Sequence, residues 1–206
     1  MTGPDSTDKA AAPVTTTYGL TKALGERLLA ASDLDGGTRF LSVRLGNLAW
    51  STGSVLTEWK RMQASSGVIT TTGPEMRRFI VRVDAAADFV HAALRNAEAL
   101  GGKVLAMPAG VAQIGDLLAV FVGERGGSWV NGARRPGDED DQWLIGESEA
   151  ARTEPFELDG RACLALSLQA RAGGGLASGV STATARRLTP DELRQLVHEP
   201  VAQAVP

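Results

Sequence analysis

Hydrophobic and polar positions follow helix and strand periods along the first 125 residues of the chain. From Tyr18 onwards apolar residues recur every three or four positions, which predicts a helix over residues 18–32 with one buried face. The residues of that inner face would be Leu20, Ala23, Leu24, Leu28 and Ala31. The mostly apolar run at residues 39–50 has the length of a strand that is buried on both faces of a parallel sheet.

Further elements follow downstream. Asp84 is a good N-cap, and it predicts a helix with inward residues Phe89, Val90, Ala93, Leu94 and Ala97. A short strand is expected at residues 103–108, a third helix at 114–124, and a last helix that begins at Pro190 with Thr189 as its N-cap. Alternating strands and helices predict an α/β fold. Beyond residue 125 the pattern weakens into charged and glycine-rich loops.

Composition narrows the classes of function. The 206 residues are 43% hydrophobic and carry a net charge of −3, which suits one globular domain and argues against a nucleic-acid partner. One cysteine excludes an internal disulfide and multi-cysteine metal clusters. His91 and His198 have no partner at metal-ligand spacing, so no metal site is predicted. No signal peptide and no apolar run of about 18 residues are present, so we expect a cytoplasmic chain without a membrane span.

Tyr18 and Lys22 are the first candidates for chemistry. Tyr18 is the only tyrosine, and only four of the 21 basic residues are lysines. Residues four apart share a face of a helix, and an ammonium beside a phenol stabilises the phenolate. Tyr18 is therefore a candidate general base, and the alternative is an ordinary surface pair on an amphipathic helix.

Asp8 and Lys9 are adjacent, so in a strand their side chains would point to opposite faces. Both reach one site only if this segment is a loop. Pro13 favours a loop because it biases the preceding residue towards extended geometry. The alternative is a solvated ion pair.

Several segments together resemble a known family. In chain order they are "STDKAAAP", "YGLTK", "RFLSVRLGNLAWSTGSV", "ITTTGPEMRRF", "RRPGDEDDQWLIGESEAART" and "SGVSTATARRLTPDEL". They resemble extended short-chain dehydrogenases/reductases, and most of all the CapD-like polysaccharide-biosynthesis group, which includes UDP-N-acetylglucosamine 4,6-dehydratases. The resemblance covers nearly the whole chain and implies a Rossmann-type α/β domain.

The resemblance also implies roles for five residues. Tyr18 would deprotonate the sugar 4-hydroxyl while hydride leaves C4 for the nicotinamide, and Thr7 would assist at the 4-oxygen. Lys22 would hold the nicotinamide ribose. Lys9 would remove the C5 proton, and Asp8 would protonate the departing 6-hydroxyl.

Three further residues would contact the substrate. Asn47 matches the family's asparagine after the "VR-Y-G-N" strand, close to the sugar nucleotide. Arg78 and Arg135 match arginines around the nucleotide diphosphate, where a planar guanidinium suits phosphate oxygens.

The chain departs from the family pattern at several positions. The family's Asp before "PEM" is Gly73 here, and its Thr before "RF" is Arg77. The family's "RPGEKLHE" is "RPGDEDDQ", so that Glu139 replaces a lysine and Asp141 a histidine. Loss of these groups near a diphosphate is expected to weaken its binding.

A second departure concerns the cofactor cradle. Members of this family place a glycine-rich turn and a helix N-terminus around the cofactor pyrophosphate, roughly a hundred residues before the tyrosine. Only 17 residues precede Tyr18, and the glycines at 173–179 have the wrong spacing. We therefore expect residues 1–206 to form a partial domain, with the catalytic and substrate-binding part but without the N-terminal dinucleotide-binding half.

Two functions are compatible with this sequence. The first is a nucleotide-sugar 4,6-dehydratase or epimerase, hence a lyase or isomerase, which acts on a UDP-N-acetylglucosamine-like substrate through transient oxidation at C4 in polysaccharide or sugar-containing metabolite biosynthesis. Its NAD or NADP would come with a separate or upstream half, in a homo-oligomer or a hetero-complex. The second is a non-catalytic remnant or binding subunit that pairs with a complete homologue. The intact residues 7–9, 18 and 22 favour the first, and the absent glycine turn and altered "RPGDEDDQ" favour the second.

Overall fold

The computed structural model describes residues 5–33, 37–134, 136–169 and 173–198. The helices are α1 (Thr17–Ser32), α2 (Val55–Ser66), α3 (Val83–Arg95), α4 (Ala97–Leu100), α5 (Ile114–Arg125), α6 (Glu147–Ala150) and α7 (Pro190–Val197). The strands are β1 (Asp5–Thr7), β2 (Ser42–Leu45), β3 (Asn47–Ala49), β4 (Val68–Thr71), β5 (Arg77–Arg82), β6 (Lys103–Ala106), β7 (Gly110–Gln113), β8 (Ser128–Asn131), β9 (Trp143–Ile145), β10 (Thr153–Leu158), β11 (Arg161–Ser167) and β12 (Val180–Ser181).

The main sheet has the strand order β1-β2-β6-β11-β10. Strands β1, β2 and β6 run parallel, with Asp5 opposite Val43 and Val43 opposite Leu105, whereas β11 and β10 form an antiparallel hairpin at one edge. Apolar residues of β2 and β6 pack against α3 and α4 in a buried cluster that includes Phe89 and Leu100. The predicted α/β class with a Rossmann-type parallel core is confirmed, while the β10–β11 hairpin was not predicted.

Five further strands form two smaller sheets. Strands β3, β5 and β7 form one small sheet, and β4 and β8 form a parallel pair. The hydrophobic core of these strands packs against α2, α5 and α7. In this core the ring centres of Trp59 and Phe121 are 5.6 Å apart, in an edge-to-face arrangement. The predicted single strand at 39–50 is in fact two strands, β2 and β3, because the chain leaves the main sheet at Gly46. A Cβ there would lie 2.7 Å from the Cβ of Phe79, so only glycine fits.

Helix α1 is oriented differently from the sequence prediction. Leu20, Leu24 and Leu28, which were predicted to face the core, are 56%, 57% and 59% exposed. The side that faces the main sheet carries Gly19, Glu26 and Ala30. The predicted inner face is therefore wrong, because Glu26 has a buried cationic partner in the sheet.

The remaining helices agree more closely with the sequence. Helices α5 and α7 lie where they were expected, and Thr189 caps α7 through the backbone N–H of Glu192. The predicted cap of α3 is wrong: Asp84 is its second residue and binds the Arg82 guanidinium at 2.9 Å. Leu94, also predicted to face inward, is 38% exposed.

Among the described residues, no helix combines the length and the apolar character that crossing a bilayer requires.

Candidate active site

Asp8 and Lys9 lie in a single turn of 3₁₀ helix (Asp8–Ala10) directly after β1. The Thr7 hydroxyl caps this turn and donates to Asp8 Oδ1 at 2.9 Å, and Lys9 Nζ lies 3.3 Å from the same oxygen. The Asp8 side chain is fully buried, whereas the Lys9 side chain is 36% exposed. Because this segment is a turn and not a strand, the two side chains lie together, as expected if the segment is a loop.

Gln142 completes this cluster. In the amide orientation that satisfies its neighbours, its nitrogen donates to Asp8 Oδ2 at 3.0 Å and its oxygen accepts from Lys9 Nζ at 3.2 Å. Asn47 Nδ2 lies 3.3 Å from the same amide group and donates to the Phe79 carbonyl at 3.1 Å. Sequence reasoning missed Gln142, which lies 133 residues after Lys9 in the chain.

Two adjoining cavities meet at this cluster. The smaller, about 150 Å³, is lined by Asp8, Lys9 and Gln142, and the larger, about 560 Å³, extends from it over α2 and β4. Asn47, Arg78 and Asp138 line both cavities. Two of the three substrate residues implied by the resemblance therefore lie at the junction; the third, Arg135, lies outside the described residues.

The larger cavity has a mixed lining. Apolar residues cover its floor, and the turn before α2 covers its rim with Ser51, Thr52, Gly53 and Ser54. The N-terminus of a helix carries a partial positive charge that attracts anions. The cavity therefore offers an apolar floor and an anion-attracting rim.

Arg78 supplies the cationic group at the junction. Its guanidinium donates to the Arg77 carbonyl at 2.8 Å and approaches the Asp140 carbonyl at 3.4 Å. Burial lowers its pKa, and the nearby carboxylates, Asp8 first among them, oppose that effect. An arginine remains charged throughout the physiological range, so Arg78 presents a fixed positive charge to the cavities.

Three of the four acidic residues of "RPGDEDDQ" have hydrogen-bond or ion-pair partners that compensate their charge or polarity. Asp141 accepts hydrogen bonds from Arg77 and Thr182, and these lower its pKa although burial alone would raise it. Glu139 accepts from the Thr15 hydroxyl at 2.8 Å. Asp140 is bound by Arg134, which also binds Glu75. Arg77 and Asp141, two departures from the family pattern, thus compensate each other, which corrects the expected electrostatic penalty at Asp141.

Tyr18 and Lys22 lie at the edge of this region. Lys22 Nζ is 5.8 Å from the centre of the Tyr18 ring, so the two side chains share a face of α1. Tyr18 is 54% exposed, and neither residue lines the two cavities. The neighbouring Gly19 packs so closely on the Lys9 carbonyl that a Cβ would collide with it. Helix α1 therefore begins directly beside the Asp8–Lys9 turn, with its tyrosine facing outwards.

The described residues fit a nicotinamide cofactor only in part. Lys22 on the exposed side of α1 can contact a ribose hydroxyl. No Gly-x-Gly-x-x-Gly turn joins a strand to a helix in the described ranges; the glycines at 173–179 lie in the loop between β11 and β12, where Gly175 packs on the Ala151 backbone. The described residues therefore contain no pyrophosphate cradle of this kind.

Comparison with known proteins identifies relatives. A family model described as "Polysaccharide biosynthesis protein" matches residues 5–156. The chain is 34% identical over 165 residues to the "Uncharacterized membrane protein MJ1061" of Methanocaldococcus jannaschii, covering 74% of this chain and 48% of that protein. It is 36% identical over 107 residues to the UDP-N-acetylglucosamine 4,6-dehydratase (inverting) of Campylobacter jejuni, covering 50% of this chain and 31% of that enzyme.

A solved structure has the same architecture. The X-ray structure of Pen from Bacillus thuringiensis superposes with a TM-score of 0.82 at 26% identity, covering 95% of this chain and 60% of that one. The chain thus spans about half or less of the length of the two curated relatives above.

Proposed function

Because the chain belongs to the family of polysaccharide biosynthesis proteins, the CapD-like branch of the extended short-chain dehydrogenases/reductases, we propose that it is the catalytic and substrate-binding part of a nucleotide-sugar 4,6-dehydratase or epimerase. The observation that carries this proposal is the junction of the two cavities. There Asn47 and Arg78 adjoin the ion pair of the buried Asp8 with the partly exposed Lys9. The cavities proposed to bind the substrate thus adjoin the two residues proposed to transfer protons.

The cavities suit the two parts of a UDP-N-acetylglucosamine-like substrate. The larger one would take the nucleoside on its apolar floor and the diphosphate between Arg78 and the N-terminus of α2. The smaller one would take the sugar beside Asp8, Lys9 and Gln142. The sugar carbons would then lie next to the buried carboxyl and amine groups. Arg135 would add a second contact to the diphosphate.

Asp8 and Lys9 can supply both a base and an acid. Transfer of one proton over the 3.3 Å between Lys9 Nζ and Asp8 Oδ1 turns the ion pair into a neutral amine and a carboxylic acid. The amine would then take the C5 proton, and the acid would give its proton to the departing 6-hydroxyl. A C5–C6 double bond and water result.

Tyr18 would take the proton of the sugar 4-hydroxyl, assisted by Thr7, and Lys22 would hold the tyrosine and the cofactor ribose. NAD or NADP, when bound, supplies the hydride acceptor for C4. The exposure of Tyr18 supports this role, because an exposed side chain leaves space for a cofactor to bind against α1. The dinucleotide-binding half would come from a separate or upstream segment, and residues 1–206 would form a partial domain.

One observation favours a second candidate function. Tyr18 and Lys22 lie outside both cavities, and the described residues lack the glycine-rich turn. A binding subunit without catalysis would keep the cavities and need no cofactor. This candidate predicts nucleotide-sugar binding without turnover in any combination with a cofactor-binding half.

Calorimetric titration of the chain with UDP-N-acetylglucosamine tests nucleotide-sugar binding, which both proposed functions require. We expect binding that Arg78→Met weakens at least tenfold, because a charge-assisted hydrogen bond contributes about 1.5–3 kcal/mol. The matched control is Arg95→Met, which removes an exposed arginine paired with Asp159 away from both cavities and should change nothing. Absence of binding below millimolar concentration, or equal affinity of the Arg78→Met variant, would contradict the proposal.

A further inference from the structure

Arg44 is the most buried charged residue in the described part of the chain, and no role in the proposed reaction uses it. Its side chain is inaccessible to solvent and lies between Glu26 and Glu149. Burial alone would lower its pKa, but the hydrogen bonds and charges of Glu26 and Glu149 raise it above the ordinary arginine value. A buried ion pair of this kind is commonly no more stabilising than apolar residues of similar volume. Its presence therefore calls for a reason other than stability.

All five N–H groups of the Arg44 guanidinium are used. Two donate to Glu26 at 3.1 and 2.7 Å, two to Glu149 at 2.9 and 3.2 Å, and one to the Leu144 carbonyl at 2.9 Å. The Ser6 hydroxyl donates to Glu26 at 2.5 Å. The planar fork of an arginine fixes the directions of all these bonds, which the single ammonium of a lysine cannot do.

Three members of this hydrogen-bonded network lie within four residues of a residue of the candidate site. Ser6 precedes Thr7 and Asp8, Glu26 lies one helical turn after Lys22, and Leu144 follows Gln142 by two residues. Arg44 itself lies three residues before Asn47. One guanidinium thus connects the four segments that carry the site.

The backbones of these segments also meet closely. A Cβ at Gly19 of α1 would collide with the Lys9 carbonyl, and a Cβ at Gly146 would collide with the Ala12 carbonyl. Helix α1 and the segment 142–149 therefore both contact the backbone of residues 9–12, in and just after the turn that holds Asp8 and Lys9. A small shift of either one would move the turn relative to Gln142.

We propose that Arg44 is a positioning residue, which through Glu26, Glu149 and Ser6 holds the Asp8–Lys9 turn, α1 and Gln142 in the arrangement that receives the sugar. This inference rests on the proposed function for its catalytic meaning, since the sugar would occupy the small cavity. Its structural part, the placement of Lys9 against Gln142, does not depend on any ligand.

Two variants and one control test the proposal. Arg44→Lys keeps the charge and removes the fork. The triple variant Arg44→Met/Glu26→Gln/Glu149→Gln removes every charge of the cluster and keeps an acceptor for Ser6, so that it folds even if the single variant does not. The control Leu100→Ala opens the core under α3 and α4, away from the site, and lowers stability without touching Arg44.

The first measurement follows the four lysines of the chain by NMR after labelling at Cε. In both Arg44 variants we expect the Lys9 resonance to move towards that of the exposed Lys60, and in Leu100→Ala to stay where it is. The second measurement compares UDP with UDP-N-acetylglucosamine by calorimetry. The Arg44 variants should keep the dissociation constant for UDP within twofold and weaken the sugar nucleotide at least fivefold.

Three results would overturn the positioning role. They are an unmoved Lys9 resonance in both Arg44 variants, an equal movement in Leu100→Ala, and an equal loss of UDP and UDP-N-acetylglucosamine affinity. If the parent chain binds neither UDP nor UDP-N-acetylglucosamine, the proposed function is wrong. The lysine resonances then still decide whether Arg44 positions the turn.

Discussion

At the scale of single residues, the candidate acid and base are Asp8, whose side chain is buried, and Lys9, whose side chain is partly exposed. Asp8 is buried against Gln142, whose neutral amide adds no charge. A glutamate at position 142, as in the family's "RPGEKLHE", would place a second carboxylate beside Asp8 and tie the Lys9 ammonium more strongly. With glutamine, the cluster of Asp8, Lys9 and Gln142 contains one carboxylate and one ammonium group.

The catalytic roles proposed for Tyr18 and Lys9 predict separable losses when the chain acts together with a cofactor-binding half. Tyr18→Phe keeps the ring and removes the ionisable oxygen, so turnover should fall by at least a factor of about 100, the lower range for general acid–base catalysis. Lys9→Arg keeps the charge but removes a group that can be deprotonated, so the sugar nucleotide should bind while exchange of its C5 proton with solvent stops. The measurements are turnover and deuterium incorporation at C5.

Thr21→Ala on the same helix is the control, because its hydroxyl bonds only the Tyr18 carbonyl among the contacts seen. Turnover of Tyr18→Phe within about twofold of the parent would exclude Tyr18 as the base. Undiminished deuterium incorporation in Lys9→Arg would exclude Lys9 in the same way.

At the scale of elements, α1 has its apolar stripe on the outside. Leu20, Leu24 and Leu28 are each more than half exposed, one turn apart along the helix. Burying a leucine side chain contributes roughly 1.5–3 kcal/mol, so three in a row favour association strongly. The inward side can be polar because Glu26 binds Arg44 there.

We therefore predict that the chain self-associates through this stripe when it has no other partner. The variant Leu20→Lys/Leu24→Glu/Leu28→Lys should sediment as a monomer and keep its thermal unfolding temperature, because exposed positions change stability little. Val68→Lys/Val130→Glu, on the exposed face of β4 and β8, is the matched control and should associate like the parent. A monomeric parent chain in analytical ultracentrifugation, or undiminished association of the triple variant, would contradict this prediction.

At the scale of the whole molecule, the main sheet of the described residues ends in β1 at one edge and in β10 at the other. The β10–β11 hairpin extends the sheet beyond β6, whereas β1 pairs with β2 on one side only. The Asp8–Lys9 turn directly follows β1, so the proposed cofactor-binding half would join at this edge. The two cavities lie within the described fold, and Asp8 and Lys9 line the smaller one.

This arrangement predicts two very different affinities for the chain by itself. Lys22 offers a ribose contact only, so NAD(H) should bind no tighter than the millimolar range, which corresponds to about 4 kcal/mol. UDP-N-acetylglucosamine should bind more tightly than that, since its cavities are complete except for any contribution of Arg135. Calorimetric titration with each ligand measures both. Micromolar binding of NAD(H) to the chain alone would show that the described residues suffice as a cofactor site.

The amino-acid sequence by itself determined the features that depend on neighbours within a few residues. The N-cap of α7 and its start at Pro190 were predicted correctly, and the strand predicted at 103–108 is present at 103–106, because these features follow from local periodicity and local backbone preferences. The family resemblance, carried by contiguous motifs, was likewise visible without a structure.

Only the tertiary structure decided the features that depend on distant partners. Arg77 meets Asp141 across 64 residues, Gln142 meets Lys9 across 133, and Glu26 meets Arg44 across 18. A helical period cannot reveal which side of α1 is buried, because a buried glutamate with a paired arginine replaces the apolar contact that the pattern assumes. Electrostatic pairing between remote segments therefore set the orientation of α1 and the composition of the site.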